Sequence, residues 1–201
     1  MRRTRAVLLI CAGVSAALLL CAVLDAFLED DNFRVVDQDL FRSGQLRADE
    51  WSESYVEHPY RSVLNLRGAN QGQPWYEAEI GFAAEHALQH FDFAISARRV
   101  PTDLQMQEIV AIVRAAPKPL LIHCNFGSDR SGLISALYEY SVLGKRPDQA
   151  AGQLSLWYGH FPWFNKSAAM DVAFARFVAD HPDGPASGGT VSRRDGRRWP
   201  T

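Results

Sequence analysis

Short apolar runs alternate with longer amphipathic stretches along the middle of the chain. The short runs are bounded by turn-forming residues and predict strands at residues 33–36, 40–42, 62–66, 90–95 and 120–122. The longer stretches have apolar residues at helical spacing and predict helices at residues 47–57, 75–88, 103–116, 131–143, 148–158 and 167–179. Alternating strands and helices are typical of an α/β fold, so we expect a central, mostly parallel sheet flanked by helices.

An apolar run of a different kind lies near the amino terminus. Residues 6–24 contain no charged side chain, three arginines precede them and acidic residues follow. This length suits one transmembrane helix. Positive charge before the span and none directly after it predict a cytoplasmic amino terminus, with the remaining chain on the extracytoplasmic side, the periplasm of a Gram-negative cell. A cleaved signal peptide is the alternative interpretation.

These patterns predict three regions. Residues 1–30 form a membrane anchor, or a signal segment, with its juxtamembrane stretch. Residues 31–180 form one folded domain, and residues 181–201, rich in Pro, Gly, Ser and Arg, form a disordered tail. The net charge of −2 gives no indication of nucleic acid as a partner.

The most informative segment is residues 123–132, His-Cys-Asn-Phe-Gly-Ser-Asp-Arg-Ser-Gly. It follows a predicted strand and leads into a predicted helix, so backbone N–H groups and the helix dipole converge on one point and favour an anion. A thiol held there, that of Cys124, has a lowered pKa. Arg130 can bind two phosphate oxygens with its planar fork. Cys11 and Cys21 lie in the apolar span, so Cys124 is the one cysteine of the predicted domain. This chemistry points to phosphoryl transfer to a cysteine.

The pattern His-Cys-x5-Arg-Ser-Gly resembles the motif of cysteine-dependent protein tyrosine and dual-specificity phosphatases. Residues 41–46, 63–68 and 158–160 resemble segments of small bacterial dual-specificity members, and the likeness extends over roughly residues 35–165. The resemblance implies that residues 31–180 are a catalytic domain with a phosphatase-type Cys-x5-Arg loop.

The resemblance also implies roles for the loop. Cys124 attacks phosphorus and forms a phosphocysteine that water hydrolyses. Arg130 and the loop amides hold the phosphate oxygens. The expected phosphate-binding residues are Asn125, Phe126, Gly127, Ser128 and Ser131. Gly127 is expected to let the backbone close around the anion, Ser131 to donate to the sulfur, and His123 to orient the loop. No metal or organic cofactor is expected, because thiolate, arginine and amides complete the site.

The general acid has two candidates. It must protonate the leaving oxygen and then accept a proton from water. Asp129, inside the loop, is preferred; Asp92, in an upstream strand pattern, is the alternative. Arg42 and Arg67 are expected either to line the pocket and bind additional phosphates or to form surface salt bridges.

The sequence therefore predicts a membrane-anchored phosphatase that acts on phosphomonoesters. Its substrate is a phosphoprotein (on Tyr or Ser/Thr) or, as the predicted topology favours, an envelope lipid or sugar phosphate. Two alternatives are a non-catalytic phosphate-binding pseudophosphatase and a rhodanese-like sulfurtransferase. The first is disfavoured because both Cys124 and Arg130 are kept, and the second because of the Arg-Ser-Gly ending.

Overall fold

The computed structural model describes residues 13–15, 18, 31–163 and 166–182. Its centre is a five-stranded sheet in the order β1-β2-β5-β3-β4. The strands are Arg34–Val35 (β1), Leu40–Ser43 (β2), Ser62–Asn65 (β3), Gln89–Asp92 (β4) and Leu120–His123 (β5). The β1 strand pairs with β2 in antiparallel orientation, and all other neighbours are parallel. The predicted mostly parallel α/β sheet is confirmed.

Helices cover both faces of this sheet. They are Glu50–Glu57 (α1), Pro74–Glu85 (α2), Asp103–Ala115 (α3), Asp129–Ser141 (α4), Pro147–Ala150 (α5) and Ala168–Asp180 (α6). The α3 helix begins with a capping box in which the Thr102 hydroxyl accepts from the Gln105 backbone N–H at 3.2 Å.

The single helix predicted at residues 148–158 is wrong. The chain forms the short α5 and then two 3₁₀ turns, Ala151–Gln153 and Leu156–Tyr158. Two features characterise the segment after the helix has ended at Ala150. The Gln153 carbonyl accepts a hydrogen bond from the buried Arg42 guanidinium at 2.9 Å, and Ser155 has extended backbone. A side chain from a distant strand thus helps to hold this segment in place.

The core lies in two layers because side chains of a strand alternate between the faces of the sheet. Leu120 and Ile122 of β5 pack in the larger cluster, with residues of α3, α4 and α6. Leu121 packs on the opposite face, with Trp51 of α1 and Phe82 of α2. The β5 strand is central, and the segment that follows it lies at the carboxyl edge of the sheet, where ligands of such folds bind.

In the part of the chain that the structure describes, no helix has both the length and the apolar character needed to cross a bilayer. The predicted span at residues 6–24 lies outside that part except for residues 13–15 and 18, and so do residues 183–201 of the predicted tail. The anchor, the tail and the three-region division stay predictions.

Candidate active site

The segment from Cys124 to Arg130 joins the end of β5 to the first turn of α4. It forms one wall of a solvent-open cavity of about 380 Å³. The cavity is lined by the loop residues Cys124, Asn125, Phe126, Ser128, Asp129 and Arg130, and across from them by Arg67, Ser96, Ala97 and Arg98. The sequence-predicted nucleophile, arginine and preferred acid therefore share one cavity.

The Cys124 thiol is buried, with 2 % of the residue exposed. Burial alone would raise its pKa, but the Arg130 charge, the Ser131 hydroxyl and the backbone N–H groups of Ser131 and Phe126 together lower the pKa below its ordinary value of 9.0. The Ser131 Oγ lies 3.4 Å from the sulfur. A thiolate at this position is favoured by its surroundings.

Four successive backbone carbonyls of the loop accept hydrogen bonds from residues outside the loop. The Asn125 carbonyl accepts from the Gln45 N–H at 3.3 Å, and the Phe126 carbonyl accepts from Asn32 Nδ2 at 3.1 Å. The carbonyls of the next two residues, 127 and 128, accept from Arg42 Nη2 at 2.7 and 3.0 Å. In a trans peptide the N–H points away from the carbonyl of the same unit, so the following N–H groups point away from these partners. The loop thereby presents donors to an anion.

Arg42 takes a different place from the one expected. It is fully buried behind the loop, neither in the cavity nor in a surface salt bridge, and its Nη1 donates to the carbonyl and side-chain oxygens of Gln153 at 2.9 and 2.8 Å. Burial lowers its pKa to about 10, with the nearby Cys124 and Tyr158 opposing that effect. The guanidinium is therefore charged at neutral pH and adds positive charge beneath the anion site.

Gly127 is required by the packing of the loop against the sheet. Its φ of +67° is in the left-handed region, and a Cβ there would lie 2.6 Å from Gly44 N and 2.8 Å from the Ser43 carbonyl carbon. The obstruction is therefore the end of β2, which the loop packs against. Any side chain at this position would separate the loop from the sheet.

Arg130 is held on one side by backbone carbonyls. Its Nη1 donates to the Leu66 carbonyl at 3.1 Å and approaches the Ile95 carbonyl at 3.4 Å, just after β3 and β4. Its Nε is buried and has no hydrogen-bond partner within the described residues. Buried donors of this kind need an acceptor, and a phosphate oxygen would supply one.

Asp129 lines the cavity and belongs to a chain of three groups. Its Oδ1 lies 2.7 Å from His160 Nδ1, and His160 Nε2 lies 2.9 Å from Asp171 Oδ2 of α6. Burial would lower the pKa of His160, but its contacts with the two carboxylates raise it overall. The imidazole can hold one transferable proton next to Asp129.

Asp92 is engaged elsewhere. It ends β4, where Oδ1 accepts from Asn65 Nδ2 at 3.0 Å and Oδ2 accepts from the Tyr76 hydroxyl at 2.5 Å. It is not among the residues that line the cavity. Its two oxygens instead join β3, β4 and α2.

Arg67 lines the cavity, which agrees with the predicted pocket position and not with a surface salt bridge. Its Nη1 donates to Gln45 Oε1 at 2.9 Å, and its guanidinium carbon lies 3.6 Å from the centre of the Trp75 ring. Burial and then the charge of Arg130 lower its pKa. The guanidinium groups of Arg67 and Arg130 thus both contribute positive potential to the cavity.

His123 anchors the start of the loop through a buried carboxylate. Its Nε2 lies 2.9 Å from Glu79 Oε1 of α2, and the same oxygen lies 2.7 Å from His90 Nε2. Burial would raise the pKa of Glu79, but the two histidines outweigh burial and lower that pKa to about 2. The carboxylate links α2, β4 and β5 directly below the loop.

Comparison with known proteins decides the family. The model of the family described as "DSP-PTPase phosphatase fused to NAD+ Kinase" matches residues 23–171. The chain belongs to this family. The family is one of cysteine-dependent phosphatases of the dual-specificity type, which disfavours the sulfurtransferase alternative.

Two curated plant proteins are similar to this phosphatase. Inositol diphosphatase DSP1 of Oryza sativa subsp. japonica is 31 % identical over 109 residues, which cover 51 % of the chain and 46 % of DSP1. Inositol diphosphatase DSP3 of Arabidopsis thaliana is 25 % identical over 117 residues, covering 55 % and 54 %. The phosphatase thus spans about half the length of these relatives.

Solved structures share the fold. P. aeruginosa TpbA has a TM-score of 0.56 at 18 % identity, covering 73 % of this chain and 91 % of TpbA. The core catalytic domain of the PP-IP phosphatase SIW14 from S. cerevisiae, in complex with citrate, also has a TM-score of 0.56, at 17 % identity, covering 75 % and 93 %.

The sequence analysis did not identify some residues of the phosphatase site. Glu79 carried a signal, because it is a charged residue at a core-facing helical position, between Tyr76 and Ala83. His160 lies in a segment that resembles the family, but its partnership with Asp129 has no local signal. Asp171 lies on a separate helix, and only the tertiary fold brings it to His160.

Glu79→Gln is expected to destabilise the phosphatase by about 3 kcal/mol, because it leaves the buried His123 and the partly buried His90 without their carboxylate. Since folding lowers the pKa of Glu79 from 4.5 to about 2, its contribution is present above pH 4.5 and is lost as pH falls towards 2. Urea unfolding at several pH values measures both effects. Glu85→Gln, exposed on the same helix, is the control and should change stability by less than about 0.5 kcal/mol. Equal losses in the two variants would contradict this role.

Ser131→Ala is expected to raise the pKa of Cys124, since it removes a donor to the thiolate. The pH dependence of iodoacetamide alkylation, followed by mass spectrometry of the Cys124 peptide, measures that pKa. The parent should show an inflection below 9.0 and Ser131→Ala a higher one. Ser135→Ala, one turn further along α4 and buried without a partner among the described residues, should leave the inflection unchanged. A shift in the control equal to that of Ser131→Ala would assign the effect to packing.

Proposed function

We propose that this phosphatase hydrolyses phosphomonoesters through a phosphocysteine formed at Cys124. The observation that carries the proposal is the buried thiol of lowered pKa in the same cavity as Arg130. The sulfur lone pair forms the S–P bond as the P–O ester bond breaks, and the ester electron pair stays on the leaving oxygen. Water then forms a new P–O bond, and the thiolate leaves, stabilised by the Ser131 hydroxyl.

The loop stabilises the transferring group by charge and geometry. Inward-directed N–H groups and the Arg130 fork bind the three equatorial oxygens, where negative charge is spread in the transition state. The buried Arg42 guanidinium adds a fixed positive charge on the far side of the loop. These groups are positioned before the substrate arrives, so little reorganisation is needed.

Asp129 is the proposed general acid. It lines the cavity, whereas Asp92 is held by Asn65 and Tyr76. The proton it gives to the leaving oxygen comes from the pair formed with His160, which shares one proton between Oδ1 and Nδ1. Asp171 accepts the hydrogen bond of the other imidazole nitrogen and fixes the ring. In the second step the pair takes a proton from water.

Asp129→Asn is expected to reduce turnover of an alkyl phosphate by about 10²- to 10³-fold, because an alkoxide needs a proton to leave. Turnover of p-nitrophenyl phosphate should be nearly unchanged, because a nitrophenolate leaves without one. His160→Asn should give a smaller loss on the alkyl substrate, about tenfold, together with a changed pH profile. Steady-state kinetics on both substrates makes the measurement.

Asp92→Asn is the matched control and should leave the ratio between the two substrates unchanged. Equal losses on both substrates in Asp129→Asn would remove Asp129 as the acid. If the parent turned over no phosphomonoester while Cys124→Ser bound phosphate, a binding module would replace the proposed enzyme.

The proposed substrate carries a second anionic group beside the scissile phosphate. Arg67 and Arg98 line the cavity in addition to the loop, which is more positive charge than one phosphate requires. The rice and Arabidopsis relatives are named inositol diphosphatases, and a substrate with more than one phosphate agrees with that name. A phosphorylated lipid or sugar headgroup with two anionic groups would give Arg67 an anionic partner in this cavity. A phosphotyrosine side chain has one phosphate and would leave Arg67 without one.

Arg67→Gln is expected to raise KM about tenfold for a substrate with two phosphates, such as phosphatidylglycerol phosphate or an inositol diphosphate, since a charged hydrogen bond is lost. KM for phosphotyrosine peptide should stay the same. Arg61→Gln, an exposed arginine at the opposite end of β3, serves as control and should change neither value. An equal KM increase on both substrates would place Arg67 in general phosphate binding.

The proposed location is a membrane, with residues 6–24 as a single-pass anchor and the catalytic domain on the extracytoplasmic side. The support is the uncharged run itself, the arginines before it and the acidic residues after it. Val14 and Leu18, which the structure describes, are 54 % and 66 % exposed, so they are not packed into the catalytic domain. On that side of a membrane a phosphorylated envelope lipid or sugar is the favoured substrate class.

A further inference from the structure

Large apolar side chains are exposed around one side of the cavity mouth. We call them the aromatic rim: Phe126, Leu156, Trp157, Phe161 and Trp163. Trp157 is 82 % exposed, Phe126 74 % and Trp163 66 %. Every Phe and Trp that is exposed among the described residues belongs to this set. Aromatic surface concentrated in this way is typical of an interaction site.

Direct contacts link the segments that carry the rim. Asn32 Nδ2 donates to the Phe126 carbonyl at 3.1 Å and to the Tyr158 carbonyl at 2.9 Å, so one nitrogen joins the loop to the turn that carries Leu156 and Trp157. The Phe161 and Trp163 rings contact each other edge to face at 6.3 Å. Between these two pairs, His160 binds Asp129 in the cavity wall.

The path of the chain brings the apolar segment to this rim. The uncharged run ends at Leu24, and residues 25–30 separate it from Asp31. Asp31 accepts from the Gly44 N–H through its carbonyl at 2.5 Å, and Asn32 binds under Phe126. An extended chain gains at most about 3.5 Å per residue, so the end of the run lies within about 25 Å of Asp31. A bilayer that holds residues 6–24 would therefore lie within a short tether of the segment that contacts Phe126.

We propose that the aromatic rim inserts into the interfacial layer of a lipid bilayer and turns the cavity towards phosphate-bearing headgroups. This inference rests on the proposed membrane anchor. Tryptophan favours the headgroup region, because its ring is apolar and its indole N–H keeps a polar partner there. Phenylalanine and leucine add apolar area at the same boundary. Arg67 and Arg98 in the adjacent cavity wall match the anionic groups of lipid headgroups. Apolar side chains next to cationic ones suit a phospholipid surface.

The test uses the full chain reconstituted in phosphatidylglycerol-containing vesicles whose acyl chains are brominated near the headgroup. Bromine quenches tryptophan fluorescence at contact, so the parent should be quenched relative to vesicles without bromine. The double variant Trp157→Ser, Trp163→Ser should lose most of that quenching. Its turnover of vesicle-borne phosphatidylglycerol phosphate should fall on the order of tenfold, because the apolar area that orients the domain is removed. Its turnover of soluble p-nitrophenyl phosphate should be unchanged.

The matched control is Val56→Ser, Leu104→Ser, which removes apolar side chains that are 82 % and 64 % exposed outside the rim. It should keep both the quenching and the activity on vesicles. Equal quenching in the parent and in Trp157→Ser, Trp163→Ser would overturn the inference. So would a dimer in detergent that the same variant converts to a monomer, since the rim would then be an interface between two copies.

The outcomes separate this inference from the proposals it rests on. A parent that fails to float with vesicles would overturn the anchor and the inference together. A parent that is quenched as expected but hydrolyses no phosphomonoester would overturn the proposed reaction and leave bilayer contact in place. A parent that hydrolyses p-nitrophenyl phosphate without rim-dependent quenching would overturn bilayer contact by the rim and leave the proposed reaction in place.

Discussion

The buried guanidinium of Arg42 is the interaction on which the rest of the site depends. It extends from β2 behind the loop and binds the carbonyls of Gly127, Ser128 and Gln153. Hydrogen bonds to the loop carbonyls fix the peptide planes with their N–H groups directed away from Arg42. The same side chain also binds the Gln153 carbonyl, at the end of the first 3₁₀ turn and in the segment that leads to His160. One side chain thus contacts both the loop and the segment that carries the Asp129 partner.

Most of the fold could be predicted from the sequence, because its elements bury strongly periodic apolar faces. The strand at residues 120–122 and the helix from residue 103 illustrate this: one is a continuous apolar run, the other an amphipathic stretch with a Thr102 cap. The helix predicted at residues 148–158 failed for the opposite reason. The helix ends at Ala150, and the turns that follow are held by contacts that local spacing does not encode, such as that of Arg42, more than a hundred residues earlier in the chain, with the Gln153 carbonyl.

The candidate site was predictable as far as its chemistry is local. Cys124, Asp129 and Arg130 are close in sequence, and a strand-loop-helix context is enough to bring them to one cavity. The partners of that loop come from distant segments. Asn32, Glu79 and Asp171 approach it through sheet order and helix packing, which single-sequence patterns do not encode. For Arg42 the sequence left two positions open, the pocket and a surface salt bridge, and the fold buries the side chain behind the loop instead.

An anion site built from backbone donors has a consequence for how such a domain can diversify. Apart from the Arg130 guanidinium, the groups directed at the phosphate belong to the main chain, so the side chains of Asn125, Phe126 and Ser128 are free of that task. Substitutions at these positions can change which molecule approaches the loop without altering the bond that is broken. Recognition and reaction are thereby encoded by separate atoms of the same residues, and new substrates can be acquired without rebuilding the catalytic geometry.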